Sequence, residues 1–373
     1  MIPKNFFWQE LGKKDLLILK GIAITLIVFH NFMHLLPSPR ENEFYFDPGR
    51  IFLLFDLILS EPENSAVFLF SYFGHFGVQV FVFVSAYGLT KKMLSENIKY
   101  WYFIFSRLKK IYPAFLLAIL FWATYTSIYR FHSFDPLKII IEHQTNLLLR
   151  LSLLSNFVPG KALIPVGPWW FLSFIFQLYI IFPLLLKCTC RYGTQFLIAI
   201  TLLALTVVIS FNANIKGVPL FFTVIAHIPV ICLGIYLAKN DSSAIKIPYL
   251  IIPVAFVAFS LGNVYLLFWY TSHLFFLILL LAAIIPLLPK IQTSFTTNKI
   301  LIFMGTYSMP LFLVNAFLRK PWLDYAIAKD QWFYSLIMCL IFFTIAVCSA
   351  VILQKITTLI FYRHTRKIAK EEM

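Results

Sequence analysis

LLILKGIAITLIVFHNFMHLL, residues Leu16–Leu36, is long and apolar enough to span a bilayer as a helix. It carries a lysine near its start and a histidine well inside. Lys20 and His30 are ten residues apart, about 15 Å along a helix axis, so they cannot touch. An ionisable side chain held in hydrocarbon is costly, which makes His30 a functional-site hypothesis on physical grounds alone. His34 follows one turn later on the same face, nearer the outer surface, and the two imidazoles together point to a polar cavity.

The rest of the chain supports a membrane reading. Of its 373 residues 60% are hydrophobic and 13% charged, with mean hydropathy +0.83. A soluble domain carries about 25% charged residues. The sequence therefore predicts an all-α polytopic membrane helix bundle, a single domain over residues 1–373 with no linker-like stretch. The net charge of +15 suggests a nucleic-acid partner, but the basic residues are dispersed over short loops and no nucleic-acid motif is present. The five cysteines suggest neither a disulfide framework nor a zinc spacing. No metal is expected.

Apolar runs predict about ten transmembrane helices, at roughly 16–36, 68–90, 111–130, 166–187, 195–212, 218–238, 247–264, 267–289, 300–318 and 332–361. The stretches 50–60 and 137–156 are too short or too polar to span and read as interfacial pieces. With both termini cytoplasmic, twenty-one of the 31 lysines and arginines fall inside and ten of the 16 acidic residues outside. That is the positive-inside pattern.

Four further constellations carry polar chemistry. Lys91, Lys92 and Lys99 lead into SRLKKIYP, whose Arg107, Lys109 and Lys110 precede a helix start expected at Pro113. They read either as membrane anchoring or as a cradle for a polyphosphate donor. In GHFGVQVFVFVSAYG, Gly74 to Gly88, the small residues permit close helix packing, and His75 and Gln79 stand one turn apart. In GPWWFLSFIFQLYIIFPLL, 167–185, Pro168 marks a helix start; Trp170, Gln177 and Tyr179 line a carbohydrate or acyl pocket, or the tryptophans form an aromatic belt. In MGTYSMPLFLVNAFLRKPW, 304–322, Tyr307, Ser308 and Asn315 interrupt an apolar run, and Pro310 is expected to break the helix.

Taken in order, KGIAITLIVFH, FGVQVFVFVSAYG, RLKKIYP, WFLSFIFQLYIIFP and YSMPLFLV resemble the motifs of the bacterial acyltransferase 3 family of integral membrane O-acyltransferases. The resemblance runs from about Asp15 to Trp322. It implies transfer of an acyl group, most often acetyl, from cytoplasmic acetyl-CoA to hydroxyls of sugars, polysaccharides or lipid-linked glycans, at the bacterial cytoplasmic (inner) membrane. It also implies that His30 is the essential histidine, Lys20 its basic partner, and Arg107 with Lys109 a pair that meets the donor. The chain departs from the pattern in three ways. The Lys20-to-His30 spacing is one residue shorter than is common. Gln79 and Ala86 stand where an acidic residue and a glycine are usual. Asn315 stands where a histidine often does.

The expected mechanism has the donor's phosphates on Arg107, Lys109, Lys110, Lys91 and Lys92. His30 acts as general base, or carries the acyl group covalently, and Ser308 or Tyr307 steadies the oxyanion. His34, His75, Gln79, Trp170 and Asn315 contact the acceptor. The rival class is a transporter or flippase for a lipid-linked sugar or small metabolite, using the same histidine as a proton relay; a catalytically dead scaffold or sensor is a third.

Overall fold

A computed structural model describes residues 5–7, 10–38, 43–96, 98–240 and 246–362. Lys4, Arg40 and the basic cluster from Arg363 to Lys370, which enter the charge count above, lie outside them, as do the extreme termini. The described residues are 84% helical. Among the described residues six helices are long and apolar enough to cross a membrane: Lys13–Met33, Pro62–Ser95, Tyr100–Phe131, Gly167–Ser210, Leu266–Thr293 and Trp332–Phe361. The pair Phe295–Thr306 and Ser308–Leu318 makes a seventh if taken as one broken span. Two shorter apolar helices, Val224–Asn240 and Ile251–Gly262, fall below that length.

In chain order the helices are α1 (Lys13–Met33), α2 (Gly49–Ser60), α3 (Ser65–Phe73), α4 (Gly77–Ser95), α5 (Tyr100–Phe131), α6 (Pro136–Glu142), α7 (Gln144–Leu151) and α8 (Trp170–Ser210). After them come α9 (Val224–Asn240), α10 (Ile251–Gly262), α11 (Leu266–Ile284), α12 (Leu288–Thr293), α13 (Phe295–Thr306), α14 (Ser308–Leu318), α15 (Lys320–Lys329) and α16 (Trp332–Thr357). They divide into two compact units. The first comprises residues Met1–Ile98 and Ile180–Thr306, and the second Lys99–Tyr179 and Tyr307–Met373.

In the first unit α1 is the central element. Its start is fixed by the Gly12 N–H donating to the Asp15 carboxylate at 2.9 Å. Glycines let its backbone be approached on two sides. A Cβ on Gly21 would fall on the Leu301 carbonyl of α13, and one on Gly305 of α13 would fall on the Leu17 carbonyl. On the other side Gly77 faces the Ala23 carbonyl, where a Cβ would sit 2.6 Å away. Such small-residue contacts are how helices pack where no hydrophobic drive separates protein from lipid. A short strand, Asn5–Phe7, pairs antiparallel with Lys246–Pro248 in the same unit.

The second unit contains a fully buried arginine. Arg150 is 0% exposed. Its Nη2 donates to the carbonyls of Lys161, Ala162 and Ile164 at 3.2, 2.7 and 2.8 Å. Burial lowers its pKa to about 10, still cationic at neutral pH. The guanidinium is the tie that folds the 153–166 connection back onto α7. Nearby, the Trp169 indole donates to the Leu313 carbonyl at 2.9 Å.

Three local expectations are corrected. The helix expected to begin at Pro113 begins at Tyr100 and runs through the proline, so Arg107, Lys109 and Lys110 lie on α5 rather than ahead of it. Proline removes one backbone bond, which a long apolar helix tolerates when neighbours compensate. α5 ends where His132 turns left-handed, at φ 50°. The break expected at Pro310 falls at Tyr307, and Pro310 sits in the first turn of α14, where proline's missing N–H costs nothing. Trp169 and Trp170 are buried at 0% and 5% exposure, which rules out an aromatic belt at these positions. The stretches expected at the interface form the helices α2, α6 and α7. α2 buries Leu54 and leaves Phe52, Leu53, Phe55 and Leu59 exposed.

Candidate functional site

His30, in the last turn of α1, is 2% exposed and so faces protein rather than lipid. Its position is set by Gly74, where a Cβ would come within 2.7 Å of both the His30 Cβ and the Leu26 carbonyl. The absence of a side chain there lets the Gly74–Phe76 turn rest directly on α1.

The tautomer follows from the partners. Nδ1 of His30 lies 2.8 Å from the Ser71 carbonyl oxygen, which only accepts, so Nδ1 carries the proton. In the neutral ring Nε2 then holds the lone pair. That atom lies 3.6 Å from Glu43 Oε1, on the connection between α1 and α2. Burial by itself would raise the Glu43 carboxyl, but once His30 is protonated its charge and hydrogen bonding, with the charge of His34 and His75, outweigh burial and hold the group well below the usual carboxylate range. The geometry is that of a base whose conjugate acid is stabilised by an adjacent anion.

Around this pair the first unit gathers further imidazoles. His34 stacks on His30, with centroids 4.5 Å apart, and donates from Nδ1 to the His30 carbonyl at 2.6 Å. His75 stands edge-on to His30 at 5.4 Å. His273 of α11 lies 6.4 Å from His75 and 6.2 Å from His227 of α9. Gln79 is buried with Oε1 3.1 Å from His227 Nδ1, while His227 Nε2 donates to the Phe221 carbonyl at 2.8 Å. Tyr72 donates to Asn263 beside them.

The first unit therefore brings together His30, His34, His75 and Gln79 of the expected residues. Lys20 is half-buried three turns earlier on α1. Lys91 and Lys92 lie in the closing turns of α4, paired with Glu10 at 2.9 Å and Glu96 at 3.5 Å. The second unit holds the others. The Arg107 guanidinium lies over the rings of Phe103 at 5.0 Å and Tyr179 at 5.7 Å. Lys109 and Lys110 are exposed on the same helix. Trp170 packs on Phe171 and Phe174, and its carbonyl accepts from Asn156. Asn315 spends both Nδ2 protons on the Leu311 and Phe312 carbonyls of its own helix, at 2.9 Å each. Tyr307 caps α14, and Ser308 is buried at its first position.

Sequence reasoning missed Glu43, His227 and His273. The two histidines carried a readable signal, since both are ionisable residues inside predicted spans, as His30 is. Glu43 carried none, being one acid among several in a loop.

These features define a helical membrane protein with a buried imidazole–carboxylate pair. A family model described as an acyltransferase domain, that of the acyltransferase 3 family, matches residues 14–353. The chain belongs to this family and is a membrane acyltransferase. No curated protein and no solved structure matches it.

Proposed function

We propose that the protein transfers an acyl group, acetyl in the simplest case, from acyl-CoA to a hydroxyl of a sugar, polysaccharide or lipid-linked glycan, with His30 as general base. The observation that carries this is the Nδ1–H bond from His30 to the Ser71 carbonyl. It leaves Nε2 with its lone pair 3.6 Å from the Glu43 carboxylate. In the reaction the hydroxyl oxygen forms the new bond to the acyl carbon and the carbon–sulfur bond breaks. The hydroxyl proton passes to Nε2 and then to the departing thiolate. Glu43, which lies beside Nε2 itself and not on the opposite ring nitrogen as in a Ser-His-Asp triad, steadies the imidazolium in between.

Arg107, Lys109, Lys110, Lys91 and Lys92 are the cationic partners of the donor's phosphates, and Lys20 supplies positive charge on α1. Ser308 or Tyr307 donates to the oxyanion. His34, His75, Gln79, Trp170 and Asn315 contact the acceptor. We place the protein in the bacterial inner membrane as one domain of ten spans with cytoplasmic termini. Gly193, at φ 69° and ψ −159°, divides Gly167–Ser210 in two, and the two shorter apolar helices and the broken pair complete the number.

The test is thiol release from labelled acetyl-CoA by purified protein in nanodiscs supplied with bacterial envelope glycans. Wild type releases CoA and forms O-acetyl ester, and His30→Ala does neither. An intact thioester in wild type would sink the proposal and favour transport.

A further inference from the structure

Glu43 reaches His30 from the connection between α1 and α2, not from a helix. Its side chain is 12% exposed, with Oε1 3.6 Å from His30 Nε2. A carboxylate prefers water, and a residue outside regular structure has many conformations in which to find it. The carboxylate stays beside the imidazole only if its neighbours in the chain are held.

Three contacts hold the residues that follow it. The Phe44 ring lies 5.2 Å from Phe221 and 5.0 Å from Phe222, at 67° and 56° to their planes. Such edge-on packing is directional as well as apolar. The Arg50 guanidinium donates to the Tyr45 carbonyl. Phe46 faces Trp269 of α11 at 6.1 Å. Of these contacts, that of Phe44 is next to Glu43 in the chain.

The surface that receives Phe44 is itself tied down. Leu220–Phe222 is a single 3-10 turn between α8 and α9, with Leu220 and Phe222 buried. The Thr223 N–H and Oγ both donate to the Leu220 carbonyl, at 2.9 and 2.8 Å. His227 of α9 donates from Nε2 to the Phe221 carbonyl at 2.8 Å. A continuous set of contacts therefore runs from α9 through this turn to Phe44, Glu43 and His30.

We infer that Phe44 is a positioning residue: its ring, seated on Phe221 and Phe222, keeps the Glu43 carboxylate against His30. This rests on the acyl-transfer reading above. Phe44 touches neither the reacting hydroxyl nor the donor in this role; it acts through Glu43.

The experiment is a double-mutant cycle on the full chain in nanodiscs, with labelled acetyl-CoA and envelope glycans, measuring kcat and KM for acetyl-CoA. The proteins are wild type, Phe44→Ala, Glu43→Gln and the double variant, with Phe44→Tyr as the conservative change. Phe44→Ala lowers kcat by about tenfold or more, the scale of misplacing a group at the chemistry, and leaves KM for acetyl-CoA nearly unchanged. Phe44→Tyr, which keeps the ring, recovers most of the loss. In the double variant the Phe44 change adds nothing to the effect of Glu43→Gln, because the carboxylate it positions is gone. Where Phe44→Ala does not fold, Phe44→Leu takes its place in the cycle. A merely structural role would multiply the two losses in the double variant, and that result overturns the inference. So does a Phe44→Ala or a Glu43→Gln with wild-type kcat. These outcomes, in a wild type that cleaves acetyl-CoA, leave the acyl-transfer reading standing. A wild type that leaves acetyl-CoA intact with every acceptor refutes that reading and this inference with it.

Discussion

Two buried polar centres, one in each compact unit, have opposite characters. Arg150 carries a full charge in the second unit, and its Nη2 is spent on three backbone carbonyls. It has the marks of a structural tie. In the first unit His30, His75 and His273 are also buried polar groups, but each uses one ring nitrogen at most in a described bond to backbone or serine. His75 and His273 each keep a nitrogen with no described partner. Burial alone does not separate a structural polar residue from a working one. What separates them is where the bonds go: Arg150 also keeps Nε without a described partner, but its guanidinium gathers three backbone carbonyls, whereas the imidazoles cluster on one another and on Glu43.

That contrast can be broken by experiment. The largest effect is expected for His30→Ala, which should lower acyl transfer by about 100- to 10,000-fold, the usual worth of a general base. Its unfolding midpoint should shift little. A variant retaining a tenth of wild-type turnover, measured as thiol release, would remove His30 from the chemistry. Arg150→Met should do the reverse. It takes the guanidinium away from three carbonyls, of which Lys161 keeps the Ile164 N–H, and should cost about 3 kcal/mol of stability, read as a lower thermal midpoint in nanodiscs. Activity per folded molecule should be largely kept. A wild-type midpoint would show that the tie is dispensable.

Gly74→Ala sharpens the comparison from the packing side. The added methyl meets the His30 Cβ and the Leu26 carbonyl at 2.7 Å, so α1 and the Gly74–Phe76 turn must part. A cost of about 1–3 kcal/mol is typical of overpacking. Acyl transfer should fall further than stability does, because the Ser71 bond that fixes the tautomer is displaced. Equal losses would make Gly74 purely structural.

The smallest effect concerns Glu43. Its carboxyl is held below the ordinary value of 4.5, so the stabilisation it contributes is fully present above that value. It is lost only as the pH falls through the lower folded value. The midpoint difference between wild type and Glu43→Gln should therefore persist down to about pH 5 and shrink in stronger acid. A difference that disappears already on passing from about pH 7 to pH 5 would show that the carboxylate is not paired with the imidazoles.

Much of this site is local in sequence, and that part was legible. His30 and His34 are one turn apart on a single helix, and His75 and Gln79 one turn apart on the next polar segment, so spacing alone placed each pair. The glycines at 74 and 77 announced a close approach without naming what is approached. Glu43, His227 and His273 come from a loop and two later helices, and nothing in their own neighbourhoods says which face they share with His30. The basic residues were legible as a cluster, but their place on α5 was not, because a proline that starts a helix and one that interrupts a helix look alike in sequence.

The sequence by itself determined that this is a membrane protein built of helices, since apolar content and backbone hydrogen bonding within a helix are properties of contiguous residues. It also singled out the histidine that hydrocarbon would not tolerate unsupported. Only the tertiary structure decided which nitrogen of that ring carries its proton, which acid faces the other, and which distant imidazoles keep a ring nitrogen with no described partner. Those are relations between atoms on separate elements, fixed by how closely the glycine-lined helices pack.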